Sequence, residues 1–170
     1  MNDLLRRTSS AAAALAAALA LAGCAAVAEG KIAPPVRGSD SDWVQAPAPR
    51  PVKDPAALTK NRWTLVVVFR PGSQTCADQM AEVLDLKKRF GPKGLAVVGV
   101  TASDREDVEA FIKETGIDFP VLADAEDVVD SYGIPAVDEN HTYLINPPGV
   151  VVAQSDLPTA SRILEKYMKR

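Results

Sequence analysis

The chain has 170 residues, 47% of them hydrophobic and 5% aromatic, with 19 Lys and Arg against 22 Asp and Glu for a formal net charge of -3. That length admits one modest domain with a real core, and the mildly acidic balance argues against nucleic acid as a partner. Two cysteines and one histidine are too few for a disulfide framework or a dedicated soft-metal centre, so no metal and no cofactor are expected.

At the start of the chain, Arg6 and Arg7 precede an almost unbroken Ala/Leu run from Ala11 to Ala22. The run is shorter than the ~20 residues of a spanning helix and has the shape of a signal-peptide core. It ends in Leu21-Ala22-Gly23-Cys24, which resembles the bacterial lipobox, where cleavage precedes a cysteine carrying a diacylglycerol thioether. Residues 1–23 are therefore read as a lipoprotein signal peptide and Cys24 as the lipidation site. The alternative is an ordinary secretion signal with an incidental cysteine. Cleavage would remove Asp3, Arg6 and Arg7 and leave a mature chain one unit more acidic. The partner implied is a membrane, held through the N-terminal lipid, and the implied location is the cell envelope, facing the periplasm or exterior.

From Ala25 to about Leu58 the sequence is rich in Pro, Ala, Ser and Asp, including Ala33-Pro34-Pro35, Ala46-Pro47-Ala48-Pro49 and Arg50-Pro51. Such a composition buries too little apolar surface to offset its ordering entropy, so residues 24–58 are expected to form an extended tether. Trp43 is out of keeping with a linker. It has two open placements, docked on the domain or beside lipid headgroups.

The domain is expected over residues 59–170. Leu65 to Phe69 is a β-branched and aromatic run without polar alternation, the pattern of a central strand buried on both faces. Pro71-Gly72-Ser73-Gln74 is turn chemistry, and Thr75 with Asp78 has the form of a capping box. A helix follows with Cys76 in its first turn and Met80, Val83, Leu84 and Phe90 inward. Leu95 to Val100 reads as a second buried strand. Ser103 and Glu106 form another capping-box pattern, opening a helix with Val108, Phe111 and Ile112 inward and Gly116 as its stop. Phe119 to Leu122 is a short extended piece. Asp124 is expected to cap a short helix that buries Val128, Val129 and Tyr132 and ends at Gly133. His141 to Ile145 and Val150 to Val152 form a hairpin around Asn146-Pro147-Pro148-Gly149. A last helix opens near Asp156 and Pro158 with Ile163, Leu164, Tyr167 and Met168 on one face. The acidic series Asp124, Glu126, Asp127 and Asp130 lacks the alternating ligands and central glycine of a calcium loop and reads as a solvated helix face. Strands alternating with helices and closing on a hairpin imply an α/β fold, a mixed central sheet with helices on both faces.

With Cys24 lipidated, Cys76 is the domain's only thiol and cannot form an internal disulfide. Unpaired N–H groups and the dipole at a helix start favour an anion, so this placement predicts a thiol pKa lowered toward the reactive thiolate. The other reading of a lone cysteine is a small buried hydrophobe.

The stretches LVVVFRPGSQTC, GLAVVGVTASDREDVEAFIKETGIDFPVLAD, YGI and YLINPPGVVV resemble the thioredoxin-like superfamily, and within it the branch of peroxiredoxins and membrane-tethered thiol-disulfide reductases. The resemblance implies a thioredoxin-like fold for nearly the whole domain. Reductases of that branch carry Cys-x-x-Cys at the first helix, where this chain has Ser73-Gln74-Thr75-Cys76. Serine at the usual attacking position excludes a two-thiol cycle within the domain. Against the peroxiredoxin pattern Pro-x-x-x-Thr-x-x-Cys, Pro71 and Thr75 match, while Asp78 stands at the peroxidatic position and Asn140 at the arginine position, with Arg70 as a nearby positive charge. Asn140 also falls where thioredoxins place their cis-proline, with Pro135 displaced from it. His141 loosely resembles the histidine of copper-delivering thioredoxin-fold assembly factors, but its simpler role is that of a strand-end residue with a local hydrogen bond.

Two functions remain open at this point. In the first, a lipid-anchored thioredoxin-like protein uses Cys76 as a one-thiol nucleophile, with Thr75 or Ser73 hydrogen-bonding the sulfur or the incoming oxygen. Its partner is an external thiol reductant or a protein disulfide. In the second, the chain is a catalytically degenerate thioredoxin-fold binding module.

Overall fold

The computed structural model describes residues 27–39, 42–44, 60–72, 74–134 and 141–169. In chain order the elements are β1 (Trp43–Val44), β2 (Thr64–Val68), α1 (Gln74–Phe90), a 3-10 turn (Gly91–Lys93), β3 (Ala96–Val100), α2 (Arg105–Thr115), β4 (Val121–Leu122), α3 (Glu126–Ser131), β5 (His141–Ile145), β6 (Val151–Gln154) and α4 (Leu157–Tyr167).

The apolar run of β2 is satisfied on both sides, by β3 in parallel with Leu65 opposite Val97 and by β5 in antiparallel with Val68 opposite His141. The six strands lie in the order β1-β4-β3-β2-β5-β6. β4 continues the parallel half, while β1 closes it and β6 closes the other edge, both antiparallel. This is the mixed α/β sheet expected from the alternation of elements.

Successive strand residues alternate between two apolar clusters, as the period of a pleated strand requires. Leu65, Val67, Val97 and Leu144 face a cluster shared with α1, α2 and α4, which contribute Met80, Phe111 and Leu164 among others. Val66, Val68, Val98, Val100 and Tyr143 face the second cluster. At Gly99 a Cβ would lie 2.9 Å from both Phe69 and Val121, so only glycine lets Phe69 pack against β3 beneath the start of α1.

On the second face the six-residue α3 is too short to cover the sheet, and the N-terminal segment completes the cover. Val36 and Trp43 are buried there, with Val27 and Ala33 packed against them. The segment is held by backbone bonds from Val27 N–H to the Tyr132 carbonyl, Gly30 N–H to the Val151 carbonyl and Ala33 N–H to the Gly149 carbonyl. The Tyr132 hydroxyl donates to the Pro34 carbonyl at 2.9 Å. A tether is therefore not what residues 27–39 and 42–44 form: the face left open by a short helix supplies the apolar contacts that their own composition lacks. Of the two placements open to Trp43, the structure adopts the docked one, in β1 opposite Leu122. Residues 1–26, which hold the expected signal peptide and Cys24, and residues 45–59 lie outside the described residues.

Three local expectations change. Asp104, not Ser103, caps α2, its carboxylate accepting from Asp107 N–H at 2.9 Å. Asp124 adopts a left-handed conformation and Ala125 precedes α3. On α4, Leu157, Ala160 and Leu164 are the buried residues, whereas Tyr167, placed inward by its spacing, is 62% exposed.

Candidate functional site

β2 delivers the chain to Phe69 and Arg70 at the carboxyl end of the parallel strands, and the turn at Pro71-Gly72, with Gly72 at φ 92, returns it into α1. Cys76 lies in the first turn of that helix, as the turn chemistry predicts. Thr75 is helical as well, so it is not the cap that the Thr75/Asp78 pattern suggests. Ser73 lies outside the described residues, as do Pro135 and Asn140.

The two neighbours in this turn face different surroundings. Thr75 is exposed, while Cys76 is 0% exposed and belongs to the cluster under α1 with Phe69, Met80 and Val83. Position 76 precedes Met80 by four residues and Val83 by seven, so Cys76 is the first member of the helix's apolar stripe. That spacing is legible in the sequence and belongs to the reading of Cys76 as a small buried hydrophobe.

Burial pushes the Cys76 thiol up from 9.0 to about 12, the reverse of the lowering expected from a helix start. The rise corresponds to ~4 kcal/mol against the thiolate. A helix N-terminus offers an anion ~2 kcal/mol at most. Desolvation wins, and at neutral pH the thiolate fraction in this conformation is on the order of 10⁻⁵.

The sheet separates the remaining candidates. His141 stands opposite Val68 in the ladder and shares its strand face with Tyr143, so its ring lies on the α3 side, where Val68 and Tyr143 pack. Its Nδ1 shares a hydrogen bond with Ser155 Oγ at 3.0 Å, the local bond expected of a strand-end residue. Cys76 is on the other side, so thiol and imidazole do not form a pair across the sheet. Arg70 is exposed at the mouth of the turn and Asp78 is exposed on the first turns of α1. Among the described residues no three His, Cys, Asp or Glu side chains come together as a metal site.

Comparison with known proteins adds to this geometry. The AhpC/TSA family model matches residues 50–154. A chloroplastic peroxiredoxin Q from Populus jackii is 30% identical over 95 residues, 51% of this chain. The match spans only 45% of that relative. A thiol:disulfide interchange protein from a Bacteroides species superposes with a TM-score of 0.63 at 23% identity, covering 85% of this chain and 92% of that one. The thioredoxin domain of a Bacteroides vulgatus thiol-disulfide oxidoreductase gives 0.60 at 24% identity over 80% and 97%. PrxQ from Xylella fastidiosa gives 0.53 at 19% identity over 65% and 78%. These structural likenesses establish the thioredoxin-like fold.

Proposed function

Because the chain belongs to the AhpC/TSA family of the thioredoxin-like superfamily, we propose that it is a lipid-anchored envelope redox protein working through one thiol, Cys76. What supports this reading above all is the position of that thiol, in the first turn of the helix that follows the central strand. Thr75 and Arg70 are exposed beside it. The anchor rests on the Leu21-Ala22-Gly23-Cys24 motif.

Burial sets a condition on the chemistry. Cys76 becomes a nucleophile when the first turn of α1 opens and admits water, which removes the desolvation that keeps it protonated. The thiolate then attacks one sulfur of a partner disulfide, forming a mixed disulfide and releasing the other sulfur as thiolate. A second, external thiol displaces Cys76 and becomes disulfide-bonded to the partner sulfur. With a peroxide, the thiolate instead takes the distal oxygen as a sulfenic acid and the remaining oxygen leaves as hydroxide or alkoxide. Two external thiols then return the sulfenic acid to the thiol, with release of water and one disulfide. Thr75 or Ser73 is the hydrogen-bond partner of the sulfur or the incoming oxygen in the opened turn.

Iodoacetamide labelling in urea concentrations below the unfolding transition tests this reading. Labelling of Cys76 is expected to be slow in the native protein and to accelerate with urea less steeply than global unfolding, with glutathione adducts that vanish in Cys76→Ser. The second reading, a degenerate binding module, is favoured by the 0% exposure and the raised pKa of the same residue. It is the correct one if labelling occurs only in step with global unfolding.

A further inference from the structure

The end of the sheet opposite Cys76 carries a surface that the redox reading does not use. β2 and β3 run parallel, so Trp63, ahead of β2, and Lys93, ahead of β3, emerge at the same end, where α4 also terminates. Trp63 stacks on Tyr167 with ring centroids 5.7 Å apart. Around this pair opens a cavity of about 340 Å³ lined by Trp63, Lys93, Lys166, Tyr167, Met168 and Lys169. Among the described residues no Asp or Glu lines it, in a chain whose net charge is -3. The dipole at the end of α4 accounts for a lysine in its last turn. Lys93, on another segment, sets its ammonium 5.4 Å from the Phe90 ring centroid, and neither contact accounts for an aromatic ring left 62% exposed.

The other large exposed hydrophobic side chain among the described residues belongs to the same end. Ile32 is 78% exposed and bridges Val150 beside the β5–β6 turn. That turn follows Ile145, which pairs with Thr64 at the start of β2. Gly30 and Ala33 are bonded to the same turn region and Val27 to the Tyr132 carbonyl on the α3 face, and Cys24 precedes Gly30 by six residues, so it lies within roughly 20 Å of that turn. A lipid on Cys24 therefore keeps this end of the domain close to a bilayer. Aromatic rings with one wet edge, set among lysines, are the chemistry of the membrane interface with anionic headgroups.

We propose that the Trp63–Tyr167 stack with Lys93, Lys166 and Lys169 is a docking face for the anionic phospholipid surface of the membrane to which the chain is anchored. The distance argument rests on the lipid-anchor reading given above. Docking by this end holds the Cys76 end away from the bilayer by at least the length of β2, ~17 Å, where it meets partners in the compartment.

The test uses the full chain carrying Trp43→Phe, so that Trp63 is the sole tryptophan, with vesicles of brominated phosphatidylglycerol or brominated phosphatidylcholine. Flotation is measured alongside. Trp63 fluorescence is expected to be quenched in the phosphatidylglycerol vesicles, to recover as salt is raised, and to be far less quenched with Lys93→Gln/Lys166→Gln/Lys169→Gln. Three lysines at a charged surface predict weakening of docking on the order of 100-fold. Wild-type protein repeats the salt titration as a guard against a folding defect in Trp43→Phe, since Trp43 is buried. A chain that does not float with the anionic vesicles overturns both the anchor and the docking face. A chain that floats while Trp63 stays unquenched, or is quenched equally in neutral vesicles, overturns the docking face and leaves the anchor standing.

Discussion

The N–H groups of a helix's first turn favour an anion, yet the sulfur in the first turn of α1 sits among Phe69, Met80 and Val83, where burial favours the protonated thiol. The outcome has a measurable consequence. The folded state holds the Cys76 proton more tightly than the unfolded chain, about 12 against 9.0. The thiol's contribution to stability is therefore complete below about pH 9 and is lost as pH rises toward 12. Between pH 9 and 10 the unfolding free energy is expected to fall by up to ~1.4 kcal/mol per pH unit on this account, read from urea midpoints. Tyr132 and Tyr143 are also pushed up by burial, but they contribute only above their ordinary value of ~10. In Cys76→Ala that slope should be gone, and an unchanged slope would assign it to another group.

Among the elements, caps show how local chemistry chose between neighbours. Both Ser103 and Asp104 precede the apolar face of α2, and the sequence pattern names the serine because Glu106 follows it at capping-box spacing. The structure uses Asp104, whose carboxylate reaches Asp107 N–H, while Ser103 N–H donates to Thr101 Oγ1 at 3.1 Å. Replacing Asp104 by Ala is expected to cost ~1 kcal/mol in chemical denaturation. Ser103→Ala should leave α2 nearly unaffected, and equal losses at the two positions would restore the capping-box assignment. The same scale explains Tyr167. Its spacing from Ile163 and Leu164 matches a buried stripe, but α4 reaches the end of the sheet there, and the ring stacks on Trp63 at the rim.

For the whole molecule, the decisive feature is that the sheet has two apolar faces and that the three long helices among the described residues all pack on one of them. The second face is covered by α3 and by residues that composition assigns to a linker. A chain beginning at residue 59 would lose β1, Val36 and Trp43 from that cover, a loss on the order of 5 kcal/mol. It is expected to bind a hydrophobic dye and to melt well below a chain that keeps residues 27–58. Equal melting temperatures would return the segment to the status of a tether.

Sequence alone was enough for the order of the elements from β2 onward, the two-sided burial of β2 and β3 and the start of α1 near Cys76, and its resemblance to the thioredoxin-like superfamily implied the fold. The order, the burial and the helix start follow from periodicity and turn residues within a few positions of one another. Tertiary structure alone decided how completely Cys76 is desolvated, that the sheet parts it from His141, and that residues 27–39 and 42–44 pack against the domain. These depend on surfaces brought together from distant parts of the chain, where desolvation by the assembled core outweighs any preference written locally.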